Sequence, residues 1–513
     1  MLENAVDVVL IYPKTGMDFG PTVAPPYALL TIAAPLHKDG HRIKIIDQRV
    51  DKQWEEHLLE ALSTKPICVG ISCMTGTQIY FALKAARIVR TATDGNIPIV
   101  FGGTHPTILP EQTIKNEYVD IVCVGEGDIT FPELVRALQS NGSLAKVDGI
   151  VFKNGSNIVM TTARPLLDVE TLLPTPWELI DVESYIHRDL YLKESCRNLD
   201  IGQTSRGCPF NCGFCSSASI RQRKWRAMSV EKSLHNIVEA VRRFKLTGIW
   251  IRDDEFYINR ERASKICEGM IRENLNIHWY TSGTRIDVFN KATDEQVALL
   301  KRSGAYVLKY GAESGSNRIL QLINKGITID DTIKANLKAK KHGIIPAFAL
   351  MIGFPTETLE ETNQTIDLSF RLRKDNPAAQ LEAMAIYTAL PGTPMYKLAI
   401  ENGLKPPESF EDWANWNFDE YDLPGKRIPW FDYKRRKELG NISYMGILSN
   451  AIPNMIDSIN NVFIRYIVKF LYMPLKFYYR LRLKKKWYTR APDLAIIKFI
   501  RGKIFYKSYL ILK

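Results

Sequence analysis

Twice along this 513-residue chain, short apolar runs alternate with amphipathic stretches, and that alternation restricts the fold more than any other feature. In the first series the runs lie at 8–12, 43–46, 67–71, 99–101 and 121–124, with helical periodicity between them, as in 80–90. Near-continuous apolar runs separated by helices predict five buried strands in a parallel, doubly wound, flavodoxin-like sheet over residues 1–145. A second series over 196–405 has runs at 248–251, 278–280, 306–310, 347–352 and 382–386, after a first strand that feeds a cysteine-rich loop. Ligands of such sheets bind beyond the carboxyl ends of the strands, so residues just after each run are the candidates for function. Between the two series, 146–195 reads as a connector, with an Asn154-Gly155 hairpin turn and a proline-stiffened stretch at 173–177.

The loop in the second series carries Cys208, Cys212 and Cys215 within eight residues, with Gly207 and Pro209 preventing a helix. Thiolates gathered in so short a loop suit iron–sulfur or zinc chemistry. A closed zinc site wants a fourth ligand, and neither Cys196 nor His187 has finger-like spacing to the three. Three cysteines holding four irons leave one iron open. The pattern C-x3-C-x2-C, with Phe214 before its last cysteine, resembles the signature of radical S-adenosylmethionine (SAM) enzymes. The resemblance implies a partial (β/α)6 barrel and a [4Fe-4S] cluster on Cys208, Cys212 and Cys215. It also implies SAM chelated by the open iron, and an external electron donor such as flavodoxin or ferredoxin, whose electron cleaves SAM to a deoxyadenosyl radical.

The strand ends of the second series fit that reading. Asp253, Asp254 and Glu255 follow one run, where three acids would repel each other without a cation. By resemblance this position meets the SAM ammonium, with Asp254 the choice among the three. Arg285 can pair with a carboxylate, and the stretch 311–316, with Glu313 and Ser314, resembles the family segment that contacts the ribose and methionyl portion. The turns 353–358 and 391–394 resemble later family turns.

The first series ends in Ser72 and Thr75, in Gly102-Gly103-Thr104-His105, and in Gly125-Glu126-Gly127, leaving room for a bulky ligand close to the backbone. No G-x-G-x-x-G follows the first strand, and no paired acids end it, so dinucleotide and phosphoacceptor readings fit poorly. With 25–30 and 102–107, these ends resemble the cobalamin-binding domain that precedes many radical SAM enzymes. That implies a cobalamin site at Ser72, Thr75, Gly102, Gly103, Gly125, Glu126 and Gly127. The D-x-H-x-x-G motif is absent, so no histidine of that motif ligates the cobalt; His105 is either a substitute or ordinary polar surface. The combined resemblance implies C-methylation of an unactivated carbon or an oxidative cyclisation like that of the anaerobic magnesium-protoporphyrin ester cyclase. An iron–sulfur redox sensor is the non-enzymatic alternative, and two ligand-sized α/β units argue against it.

Eight cysteines without a disulfide framework indicate a reducing, cytoplasmic setting. Beyond 405 the chain turns mostly helical, aromatic and then basic. Phe410, Trp413, Trp416, Phe418, Trp430 and Phe431 are expected to close over the barrel mouth. Residues 464–513 hold fourteen Lys and Arg against one acid, and no nucleic-acid motif accompanies them. Within 462–483, Arg465, Lys469, Lys476 and Arg480 form one stripe on an otherwise apolar helix. Such a helix lies on an anionic membrane surface through 462–513, with a lipid-type substrate in keeping, or packs its apolar face on the barrel, or binds a partner.

Overall fold

The computed structural model describes residues 5–16, 18, 23–188, 191–416, 422, 424–459, 461–489 and 491–494. The expected β/α series are both present. The first gives β1 (Val8–Tyr12), β2 (Ile43–Asp47), β3 (Cys68–Ser72), β4 (Ile99–Gly102) and β5 (Ile121–Cys123). The hairpin in the stretch read as a connector, β6 (Ile150–Asn154) and β7 (Asn157–Met160), adds two antiparallel strands to the same sheet. The order is β2-β1-β3-β4-β5-β6-β7, so the crossover direction reverses between β1 and β3, which opens a crevice above them. Val8 to Ile11 have no exposed surface because helices cover both faces.

The second sheet is wholly parallel: β8 (Asn198–Asp200), β11 (Gly248–Ile251), β12 (His278–Thr281), β13 (Ala305–Glu313), β14 (Ile345–Ile352) and β15 (Gln380–Ile386), in the order β15-β14-β13-β12-β11-β8. A separate two-stranded ladder, β9 (Ser205–Arg206) with β10 (Arg226–Ala227), carries the cysteine loop between its strands. Helix Tyr433–Gly446 and the turns after it pack along β15, covering an edge strand that would otherwise be open.

The aromatic segment does more than close the barrel. Phe410 and Trp413 are buried against Phe101 and His105 of the first unit, and the Trp413 indole N–H donates to Gln112 Oε1 at 2.7 Å. Trp416 and Trp430 bond the carbonyls of Ala389 and Gly353 after β15 and β14. The segment therefore bridges the two units; Phe418 lies outside the described residues.

Helix Val462–Lys484 is where expected, but its apolar face does not pack on the barrel. The cationic stripe faces the protein and the apolar face looks outward. Lys469 pairs with Asp457, Arg465, Lys476 and Arg480 are half-buried, and Tyr472 and Tyr479 bond Leu448 and Asp493. Phe463 and Phe470 are each 74% exposed and Leu471 69%, with Tyr466, Phe477, Tyr478 and Leu481 alongside. The expected cations beyond 494 lie outside the described residues. Among the described residues no helix is long and apolar enough to cross a membrane.

Candidate cluster and cofactor site

Gly207 begins the cysteine loop at φ +87°, where a Cβ would fall 2.2 Å from the Lys224 carbonyl, so no larger residue fits. Its N–H donates to Asp254 Oδ2 at 2.8 Å, which ties the loop to the end of β11. Further on, Gly213 N–H bonds the Ile323 carbonyl and Gly213 O accepts from Met395. Three elements of the barrel thus fix the loop, with Cys212 buried and Cys208 and Cys215 half-buried.

All three thiols are free. Burial pushes the Cys208 thiol up to about 11, against a backbone N–H from Phe210 that lowers it, so binding a metal must displace protons here. The cations for that are in place. Arg285 Nη1 donates to Cys212 Sγ at 3.2 Å, while Nε bonds Asp287 and Nη2 the Lys325 carbonyl. Its guanidinium lies over the Phe210 ring, 3.6 Å from the centroid. Among the described residues no three His, Cys, Asp or Glu side chains stand close enough for a single metal ion. Three thiolates in one short loop, with a cationic donor to one of them, are donor chemistry suited to a four-iron cluster. The donor set fits the cluster.

Each of the three acids after β11 has its own donors, so they do not share one cation site as their adjacency suggested. Asp253 is buried and takes four bonds from the backbone and hydroxyls of Thr204 and Ser205. Glu255 accepts from Tyr257 and Arg285 N–H groups, and burial pushes its carboxyl up to about 8. Asp254 alone is exposed, its one bond being to Gly207. Glu313 pairs with Lys325 Nζ at 2.7 Å, and Ser314 is locked to Thr365 and Ser316. Burial works against the Lys325 ammonium, yet Glu313 and Cys212 hold its pKa above the usual lysine value. Lys325 also lies 5.6 Å from the centroid of the Phe214 ring, so it joins Glu313, Phe214 and Cys212 in one cluster. Sequence reading missed it, because a lone lysine in an Asn-Lys-Gly turn looks like solvated surface.

Bordered by the two ends of this loop at Arg206 and Ile220, a cavity of about 360 Å³ opens above the switch point of the first sheet, within the ~300–1,000 Å³ of small-molecule and cofactor pockets. Ser72, Gly102, Gly103, Gly125, Glu126 and Gly127 line it. Gly103, at φ +103°, leaves no room for a Cβ beside the Cys73 carbonyl. Thr75 is not in the lining; its hydroxyl bonds His105 Nδ1 at 2.9 Å. His105 is fully buried under Phe410 and Trp413 and outside the lining, neither polar surface nor a group facing the cavity. Burial lowers its pKa to about 4. The opposite wall comes from the second unit, with Gly202, Gln203, Arg206 and Arg252. Wall and loop are joined covalently, since Arg206 immediately precedes Gly207. Asp128 receives both Arg206 nitrogens at 2.8 and 3.0 Å, and Glu126 is held by Arg221 and Arg226. Glu126 is therefore committed to the junction of the two units. The glycine walls fit a large, flat cofactor.

Comparison with known proteins agrees with this geometry. The model of the B12 binding domain matches residues 20–135 and that of the Radical SAM superfamily residues 203–369. An uncharacterized methyltransferase of Pyrococcus horikoshii is 34% identical over 387 residues, covering 75% of this chain and 80% of its own. The anaerobic magnesium-protoporphyrin IX monomethyl ester cyclase of Cereibacter sphaeroides is 26% identical over 403 residues, covering 77% and 62%. Among solved structures, the cobalamin-dependent SAM radical enzyme OxsB, with aqua-cobalamin and SAM bound, shares the fold at a TM-score of 0.73 and 21% identity, over 98% of this chain and 75% of that one. With the cysteine triad seated on the barrel and a cavity at the switch point that is walled by both units, this chain belongs to the B12-dependent radical SAM enzymes.

Proposed function

We propose that this protein methylates an unactivated carbon of a small-molecule or lipid-type substrate. The observation that carries the reading is the shared wall: Arg206 lines the cavity of the first unit and leads directly into the cysteine loop of the second. When bound, the cluster with SAM supplies hydrogen abstraction, and cobalamin supplies a methyl donor. The chain's own residues bind and orient. Cys208, Cys212 and Cys215 hold the cluster, and Asp254 offers its unbonded carboxylate oxygen to the SAM ammonium. Glu313 and Lys325 form a fixed ion pair behind Phe214, and Ser72 with the glycines at 102, 103, 125 and 127 shapes the cobalamin site. Arg285, already bonded through all three guanidinium nitrogens to Asp287, Cys212 and the Lys325 carbonyl, steadies a cluster ligand. An external donor such as flavodoxin or ferredoxin supplies the electron. Similarity to the ester cyclase supports oxidative cyclisation as a second reading.

Anaerobic reconstitution with iron and sulfide, then incubation with SAM, reductant and cobalamin, tests this by mass spectrometry. Formation of both 5′-deoxyadenosine and S-adenosylhomocysteine is expected. Deoxyadenosine alone would favour the cyclase reading, and neither product would overturn the enzyme assignment.

The C-terminal region supports attachment to a membrane surface. The outward face of helix Val462–Lys484 is about 35 Å long at 1.5 Å per residue, and aromatic along its length. Lys484, Lys485 and Lys486 follow it, all exposed, with Trp487 59% exposed beside them. Aromatic side chains next to lysines suit the boundary between acyl chains and anionic headgroups. A substrate drawn from the membrane is in keeping with that placement.

A further inference from the structure

On the inner side of this same helix stand three cations with no acid. Lys476 and Arg480, one turn apart, face Arg373 on helix Leu359–Asp375, and all three are half-buried. Among the described residues Arg373 bonds a neutral amide, Asn450 Oδ1, at 2.7 Å. Among the described residues none of the three has an ion pair. Asp457 is the acid nearest Lys476, but its oxygens are taken by Lys193 at 2.7 Å and Lys469 at 2.9 Å.

Elsewhere in this region the buried Arg482 holds Asp493, and Lys193 and the exposed Lys469 share Asp457, while the half-buried Arg465 bonds the Ile459 carbonyl. Gathering three like charges away from water without an acid is unfavourable unless an anion from outside joins them. Burial first, then Arg480, brings the Arg373 guanidinium down to about 10, and burial with Arg373 and Arg480 lowers Lys476.

We infer that Arg373, Lys476 and Arg480 bind the phosphate of an anionic phospholipid whose acyl chains lie along the outward face of the helix. A phosphate offers several acceptor oxygens, enough for two guanidinium forks and an ammonium at once. What selects a lipid over free phosphate is the surroundings, since exposed Met473, Phe477, Tyr478 and Leu481 occupy the same stretch of helix. The inference rests on the membrane attachment proposed above, and it adds a stereospecific headgroup site to what would otherwise be diffuse charge.

Two assays separate the ideas. Full-length protein is sedimented with vesicles of phosphatidylcholine, with or without phosphatidylglycerol. One variant carries Arg373→Gln, Lys476→Gln and Arg480→Gln; a matched one carries Lys484→Gln, Lys485→Gln and Lys486→Gln, removing equal charge. In parallel, thermal melting is followed with dihexanoyl phosphatidic acid, which is soluble, and with inorganic phosphate. The expected result is about tenfold or greater loss of anionic-vesicle affinity in the first variant and a smaller loss in the second. Dihexanoyl phosphatidic acid should raise the melting temperature of the wild type and the second variant, and leave the first unmoved. Equal losses in both variants, with no difference in melting, would overturn the site and leave membrane attachment standing. No vesicle binding at all, with the lipid-induced shift intact, would overturn attachment and keep the site. A shift from inorganic phosphate as large as that from the lipid would overturn the lipid assignment. A dimer in sedimentation velocity that Phe470→Ser dissolves would show that a second copy covers the face, and would overturn both. Circular dichroism of each variant guards against misfolding, and Arg480→Gln alone provides a milder version of the same test.

Discussion

Two clusters of sequestered cations in this protein are handled in opposite ways. At the junction of the two α/β units, Arg206, Arg221 and Arg226 meet Glu126 and Asp128, and each guanidinium has a carboxylate. Under the C-terminal helix, Arg373, Lys476 and Arg480 meet none among the described residues. The difference shows where the chain needs its own geometry. At the junction Arg206 lines the cofactor cavity and leads into the cysteine loop, so the counter-charges are built in. At the helix the geometry can be completed by something that arrives. Arg285 lies between these extremes, matched by Asp287 on one nitrogen and by the Cys212 sulfur on another.

The largest effect should come from breaking the matched cluster. Arg206→Met leaves Asp128 buried and without its bidentate partner, which costs about 3–5 kcal/mol. The pH dependence gives the sign. In the wild type, burial works to raise the Asp128 pKa, but Arg206 outweighs it and holds the carboxyl below its usual value. That contribution is fully present above the unfolded-state pKa and is lost as pH falls through the lower folded value. In the variant burial is opposed only by the weaker hydrogen bonds from Thr31 and the backbone, the folded pKa rises, and the carboxyl takes up a proton more readily than in the unfolded chain. The deficit in urea unfolding should therefore be larger at pH 7 than at pH 4. An equal deficit at both would mean that Arg206 acts through packing alone, and the contrast between the clusters would lose its electrostatic basis.

Next in size is the intermediate case. Arg285→Gln keeps the fold but removes the cationic donor to Cys212, and outer-shell changes of that kind typically cost 10- to 100-fold in metal affinity. Iron content and cluster absorbance after anaerobic reconstitution should fall by that order under limiting iron. Cys208→Ala, Cys212→Ala and Cys215→Ala should each abolish the cluster. Cys196→Ala, whose side chain is exposed in the stretch before β8, should leave it unchanged. Full occupancy in Arg285→Gln would reduce the arginine to a packing role on Phe210.

What the sequence made legible follows from these cases. Periods of apolarity located the strands of both sheets, and local spacing located the cysteine loop, because both signals are contained within a few residues. Pairings across about 80 to 110 residues, such as Arg206 with Asp128 or Lys325 with Cys212, leave no local trace, and those define the electrostatics of the site. His105 shows the same limit: a loop position suggested polar surface, and a segment 300 residues later buried it under Phe410 and Trp413. In helix Val462–Lys484 the 3.6-residue period told which side chains share a face but not which face meets the body. Acids already present at Asp457 and Asp493 drew the cations inward, and the apolar face was left outside.

The smallest predicted effect is the sharpest test of the comparison, because its sign is opposite to that at the junction. Lys476→Met keeps most of the aliphatic stem, removes one of three clustered charges, and breaks no ion pair among the described residues. Like charges four residues apart on a helix destabilise it by about 0.2–0.5 kcal/mol, and Lys476 opposes both Arg480 and Arg373. Without membranes present, the substitution should raise stability by an amount of that order, seen as a small increase in the urea midpoint at unchanged slope. The gain should shrink as salt is added, since added ions screen the same repulsion. Anionic vesicles should reverse the ranking, with the wild type now the more strongly stabilised protein, because a ligand that binds only the folded state adds its binding free energy to stability. A loss of more than about 1 kcal/mol in Lys476→Met without vesicles is the magnitude expected for a broken buried interaction rather than a relieved repulsion. It would place a partner for Lys476 within the protein itself, and the two cation clusters would then differ in degree and not in kind.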